Sequence, residues 1–259
     1  MTALMPIFMI LLGLVIGSFM NVLIYRLPRE LSIVKPRSFC PACKKPIPWY
    51  ENIPLVSFVF LGGRCSNSKC RKPISFQYPL VELLTGALFL YLFLIHGFSI
   101  WFLFYAYFFC GLIVISGIDL THHEIPDAIT IPGILLGLAL QIWQGTWPLG
   151  LLGAGFGGGL ILLMRVLGGW AWKKEVMGMG DVYLIAMIGA YVGFPDVILA
   201  IFLAALAGAI FGIGFCIVTR KNMGEAYIPF GPFLGLGGAL IIILKIHLVS
   251  ILEMFFPRF

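Results

Sequence analysis

The chain has 259 residues, 61% of them hydrophobic and only 11% charged. A soluble domain of that composition would lack the polar surface to stay dispersed, so the bilayer is its expected solvent. The net charge of +6 requires no nucleic-acid partner, because the basic residues sit beside apolar runs and suit a membrane surface.

Apolar runs near the 20 or so residues that a spanning helix needs lie at roughly 4–25, 79–95, 99–118, 126–142, 147–168, 182–194, 196–218 and 229–252. The first begins in a stretch with no basic residue and is too long for a cleaved signal segment. It is expected to be a retained helix with its N-terminus outside. The sixth is short, with Pro195 close behind it. Continuing the zigzag places all but Lys245 and Arg258 of the 17 Lys and Arg on the inner side, as the positive-inside rule requires. The expected fold is an all-α polytopic membrane protein of about eight transmembrane helices. Residues 1–25 form the first helix, 26–78 a cytoplasmic loop domain, and 79–259 a transmembrane core.

The 26–78 segment holds Cys40-Pro-Ala-Cys43 and Cys65-Ser-Asn-Ser-Lys-Cys70. Two close thiol pairs in a reducing compartment read as ligands of a structural zinc ion, which would pin the intervening residues as a loop. Four intervening residues make the second pair looser than the first. Ser and Asn in that gap can form a turn that absorbs the length. A four-thiolate site is closed and leaves no coordination position for catalysis. Cys110 and Cys216 lie within apolar runs and suit core packing.

Carboxylates in spans are costly, which directs attention to Glu82, Asp119, Glu124, Asp127, Asp181, Asp196 and Glu253. Of these, Asp196 and Glu253 fall near the outer face and are expected to be solvated there. Asp119 closes the third run and Asp181 opens the sixth, in Gly178-Met179-Gly180-Asp181. Two crossings separate them, so both belong at one depth, just inside the cytoplasmic boundary. Two carboxyls within hydrogen-bond reach share one proton; the ionised one can take a proton from water and the neutral one can polarise a peptide carbonyl. That is the chemistry of peptide hydrolysis by an aspartate pair. Gly178 and Gly180 would let a substrate backbone approach. Capping of each helix is the competing reading of the two aspartates. Asp127, behind Pro126, suits the N-terminus of the fourth helix, and His122 and His123 suit the interface. The glycines of 150–159, and the pairs Gly208 with Gly212 and Gly231 with Gly235, suit close helix packing.

Further segments match a known family in order along almost the whole chain. They are Gly17-Ser18-Phe19-Met20-Asn21-Val22 with Arg26-Leu27-Pro28, Arg37-Ser38-Phe39-Cys40-Pro41-Ala42-Cys43, and Asn52-Ile53-Pro54. Tyr78-Pro79-Leu80-Val81-Glu82, Ile125-Pro126-Asp127, the Gly178–Asp181 run and Ile228-Pro229-Phe230-Gly231-Pro232-Phe233 follow. The chain resembles the type IV prepilin peptidases, membrane aspartyl proteases with a G-x-G-D motif that serve type IV pili and type II secretion. The resemblance implies cleavage of prepilins or pseudopilins after a leader ending in Gly, at the cytoplasmic face of the inner membrane, with Asp119 and Asp181 as the catalytic pair. It also implies methylation of the new N-terminus from S-adenosylmethionine, with Glu82 the best polar contributor to that site. A carboxylate-dependent proton or cation transporter is the rival reading, and no internal repeat supports it. No oligomeric state follows from the sequence.

Overall fold

The computed structural model describes residues 4–173, 177–219 and 228–255. Lys174, Arg220, Lys221 and Arg258, which entered the charge argument, lie outside them. Eight long helices carry the apolar runs: α1 (Leu4–Arg26), α3 (Gln77–His96), α4 (Ile100–His122), α5 (Asp127–Trp143), α6 (Trp147–Trp172), α7 (Met179–Val192), α8 (Asp196–Thr219) and α9 (Gly231–Phe255). A short α2 (Val56–Phe60) lies in the loop between the first two. Six of the helices are long and apolar enough to cross a membrane, and α5 and α7 are shorter. The described residues contain no strand, only two isolated bridges in the loop. This is the all-helical, multi-pass architecture that the composition implies.

The chain forms two compact units, Met1–Val114 and Ile115–Phe259, with the boundary inside α4. In the first unit α1 packs on α3. Gly13 and Gly17 permit this approach: a Cβ on either would stand 2.7 Å from the backbone of Thr85 or Glu82. Asn21 ties the same pair together, its amide donating to the Tyr78 carbonyl at 3.1 Å. Arg26, at the end of α1, is buried and donates to the carbonyls of Ser32 and Pro36, each at 2.6 Å. A guanidinium with several donors can organise a loop in this way without an acidic partner. Here it folds the chain back towards the cysteine segment.

In the second unit α7 is the central helix, packed against α5, α6, α8 and α9. Nearly every residue from Val182 to Val192 is buried. Its 14 residues span only about 21 Å, short of a hydrocarbon core of about 30 Å. Enclosure by longer helices makes that length sufficient, since α7 presents little surface to lipid. The backbones of α6 and α7 touch where Gly153 meets Gly189. Gly150 and Gly157 are equally tight, against Gln141 and Val197. Gly155 and Gly159 instead face open space, so only part of the glycine run serves the packing expected of it. At the far end of α7, Lys245 forms an ion pair with Asp196 and donates to the Val192 carbonyl at 2.5 Å. One ammonium thereby holds the α7–α8 turn to α9.

Candidate active site and metal centre

The loop of the first unit brings Cys40, Cys43, Cys65 and Cys70 together, with all four Sγ atoms within 4.8 Å of one another. The two cysteine segments are built alike. In the first, Cys40 N–H donates to Lys45 C=O at 2.9 Å, and Phe39 bridges Pro46. In the second, Cys65 N–H donates to Lys72 C=O at 3.0 Å, and Arg64 bridges Pro73. The residue after the last cysteine of each pair, Lys44 or Arg71, takes a positive φ. The two extra residues of the second pair form a turn on Asn67. Its carbonyl accepts the N–H groups of Cys70 and Arg71, and its side-chain oxygen accepts Lys69 N–H at 3.1 Å. The widened spacing is absorbed locally, and the thiols still converge.

This donor set fits tetrahedral zinc. Bonds of about 2.3 Å place the sulfurs about 3.8 Å apart, and Cys43 and Cys65 stand at 3.9 Å. The Lys45 backbone N–H, with hydrogen bonds from Asn67, Cys40 and Cys70, outweighs burial and lowers the Cys43 thiol to about 7. The Asn67 N–H favours the Cys65 thiolate too, but burial and the neighbouring Cys40 and Cys43 together push it up to about 11. Four thiols this close cannot all ionise without a cation among them. A bound zinc would supply that charge and lock the loop, with no part in bond cleavage.

In the second unit, Asp119 and Asp181 occupy helix ends. Asp119 lies in the last turn of α4, 6% exposed, and its Oδ2 accepts Gly231 N–H at 2.9 Å. Asp181 lies in the first turn of α7 and reaches back to accept Gly178 N–H at 3.2 Å. This is the carboxylate half of a capping box. The two are near enough for the charge of Asp119 to act on Asp181. Each carboxyl thus has one oxygen held by a glycine N–H.

Ile125 links the two halves. A Cβ on Gly180 would lie 2.6 Å from Ile125 Cβ, and one on Gly231 would lie 2.5 Å from Asp119 Oδ2 and 3.3 Å from Ile125 Cδ1. Gly178, by contrast, has room for a Cβ, 3.5 Å from Asp181 Oδ2. Arg165 on α6 fixes the segment before α7, donating to the Met177 carbonyl at 3.0 Å and to Met179 Sδ at 3.4 Å. His123, expected at the interface, is close enough for its charge to act on Asp119. Asp127 is exposed in the first turn of α5, where its charge suits the helix dipole. Sequence reasoning placed Gly231 in helix packing and gave no role to Ile125 or Arg165. The signal was present only in tertiary pairing.

Glu82 belongs to the first unit. It is 7% exposed, its Oε2 accepts Leu55 N–H at 2.8 Å, and Ser18 hydrogen-bonds to the same carboxyl. Leu55 has φ 59° and ψ −48°, and Pro54 C=O accepts Val56 N–H across it at 2.6 Å. This is a γ-turn of the strained, positive-φ kind.

Two family models match the sequence in succession. Residues 11–96 match the bacterial Peptidase A24 N-terminal domain, and residues 106–213 match the type IV leader peptidase family. A Myxococcus xanthus prepilin leader peptidase/N-methyltransferase is 39% identical over 84% of this chain, which spans 65% of that relative. An Escherichia coli type 4 prepilin-like proteins leader peptide-processing enzyme is 37% identical over 94% of this chain and 95% of its own. A Pseudomonas aeruginosa prepilin leader peptidase/N-methyltransferase is 36% identical over 88% of this chain and 87% of its own. No solved structure matches. With relatives matched along most of their length at this identity, and with both family models matched in order, the chain belongs to the type IV leader peptidase family, a family of aspartic peptidases.

Proposed function

We propose that this protein cleaves the leader peptides of type IV prepilins or pseudopilins after a glycine, using Asp119 and Asp181, at the cytoplasmic face of the inner membrane. The observation that carries the reading is that the two carboxyls lie close enough for the charge of one to act on the other, each with one oxygen held by a glycine N–H. The remaining oxygen of each serves the reaction. One accepts a proton from the attacking water, and the other donates the shared proton to the scissile carbonyl. A prepilin suits that depth, because its basic leader precedes an apolar helix and its scissile bond lies at the membrane boundary. Residues 26–78 act as a zinc-pinned loop domain, held by Cys40, Cys43, Cys65 and Cys70, and residues 79–259 as the peptidase core.

Methylation of the new N-terminus from S-adenosylmethionine belongs to the same proposal, supported by the names of the relatives. Glu82 was expected to contribute to that site. Its carboxyl is almost enclosed and engaged by Leu55 and Ser18, which fits a loop anchor better than a methyl-donor contact. No step is routed through it.

The test is cleavage of a prepilin-like peptide by the purified protein in lipid nanodiscs. Asp119→Asn and Asp181→Asn should each insert normally and lose about 10²- to 10⁴-fold in rate. Undiminished cleavage by Asp181→Asn would overturn the proposal.

A further inference from the structure

The loop helix α2 carries an apolar face that the described residues leave exposed. Val56, Val59 and Phe60 fall at i, i+3 and i+4, one side of a helix, and are 46%, 75% and 85% exposed. Trp49 and Tyr50 are exposed beside them, and Ser57 Oγ ties the two pieces by donating to the Tyr50 carbonyl at 3.1 Å. Val34 and Phe76 are exposed elsewhere in the segment, but only here are several bulky apolar groups gathered on one helix and the turn beside it, which marks a contact surface.

A hydrogen bond anchors that surface to the start of a spanning helix. Leu55 immediately precedes α2, and its N–H is bonded to Glu82, five residues beyond the first residue of α3. At 1.5 Å per residue, that is about 7.5 Å along the apolar helix. The side chain of Glu82 leans back toward the start of α3, so this bond ties the start of α2 to the first turns of a spanning helix. The strained turn at Leu55 holds it there, and the buried carboxyl of Glu82 secures the turn. Charge indicates the partner. Residues 26–78 contain ten Lys and Arg against Glu30 and Glu51, a balance that favours anionic headgroups at a leaflet surface. Trp and Tyr beside short aliphatic groups are the side chains that settle at that boundary.

We propose that α2, with Trp49 and Tyr50, is a membrane foot: it seats its apolar face at the headgroup–acyl boundary of an anionic phospholipid leaflet. The zinc-pinned loop is thereby held against the bilayer at a fixed height. A second copy of the chain or a substrate helix would be the competing occupants of this face.

Photo-crosslinking of the full chain in nanodiscs separates these occupants. The probe is p-benzoylphenylalanine in place of Phe60, in place of Trp49, and, as the control, in place of exposed Lys69 in the second cysteine segment. The nanodiscs contain phosphatidylcholine with or without phosphatidylglycerol, and the adducts are weighed by mass spectrometry. The expected result is a phospholipid adduct several-fold stronger at positions 60 and 49 than at 69, rising with the phosphatidylglycerol content. Should one substituted chain fail to insert, the other reports on the same face. The proposal is overturned if positions 60 and 49 label lipid no better than 69, if the adduct is a second copy, or if crosslinks form only to an added prepilin peptide.

Discussion

Gly231 donates its N–H to Asp119 Oδ2 at 2.9 Å across 112 residues of sequence, joining the first residue of α9 to the last turn of α4. A methyl group at position 231 would stand 2.5 Å from that oxygen, so either the carboxyl or the start of α9 must move. Misplacing a catalytic group by about 1 Å can cost about 100-fold in rate. Gly231→Ala should therefore lower kcat by roughly that factor and leave KM for a prepilin-like peptide nearly unchanged. A variant as fast as wild type would mean that the contact does not position Asp119.

The two glycines of Gly178-Met179-Gly180-Asp181 should differ in tolerance. Gly178→Ala meets only ordinary contacts and should retain most activity, whereas Gly180→Ala collides with Ile125 Cβ at 2.6 Å. Shortening Ile125 to Ala leaves the obstructing atom in place, and only Ile125→Gly removes it. Partial recovery of cleavage in Gly180→Ala/Ile125→Gly, absent from Gly180→Ala/Ile125→Ala, is the diagnostic outcome. Equal sensitivity at 178 and 180 would count against the steric account.

Metal analysis should find one zinc per chain, lost on replacement of any of Cys40, Cys43, Cys65 or Cys70 by Ser. Uptake by the stripped protein should weaken on acidification from about pH 8 to about pH 6, because zinc binds thiolates and must displace their protons. Cys43, lowered to about 7, is partly ionised at neutral pH and becomes protonated through that range. Cys65, pushed up to about 11, releases its proton to solvent only when the metal takes its place. Uptake that is flat with pH would be inconsistent with thiolate ligation. Intact cleavage of a soluble peptide by the zinc-free protein would agree with a purely structural metal.

Arg165 holds the segment that leads to Asp181 through Met177 and Met179. Arg165→Met keeps much of the stem and removes the donors. Loss of a hydrogen bond from a charged group is worth about 1.5–3 kcal/mol, so a fall in rate of about 10- to 150-fold is expected. Arg165→Lys should recover part of it. Proteolysis or hydrogen exchange confined to the residues around 177–179 would locate the effect; a change spread over α6 would argue for general destabilisation instead.

The eight long helices were legible because span length and hydropathy are local properties, and each apolar run became one helix. The short sixth run was legible as well, but the reason for its length was not: α7 is enclosed by four neighbours. The cysteine spacing announced two converging thiol pairs, and Asn67 supplied the turn that the Ser-Asn gap suggested. Crossing number predicted that Asp119 and Asp181 would share one side, and both lie at helix ends in one compact unit. What the sequence could not carry was partner choice. Nothing local distinguishes Gly231, whose neighbour is a carboxylate, from Gly155, which faces open space. The bond from Leu55 to Glu82 is equally invisible until the loop is folded.

The contact of Gly153 with Gly189 bears on how the enzyme can open. Helices normally slide past one another on a cushion of side chains, and at this point there is none. Each glycine carbonyl lies against the Cα of the other, so a shift of α7 along α6 would bring backbone against backbone, and the two helices, with Asp181 at one end of α7, are expected to move together. On the function proposed above, labels placed across the α6–α7 seam should therefore keep their spacing while a leader peptide binds and leaves.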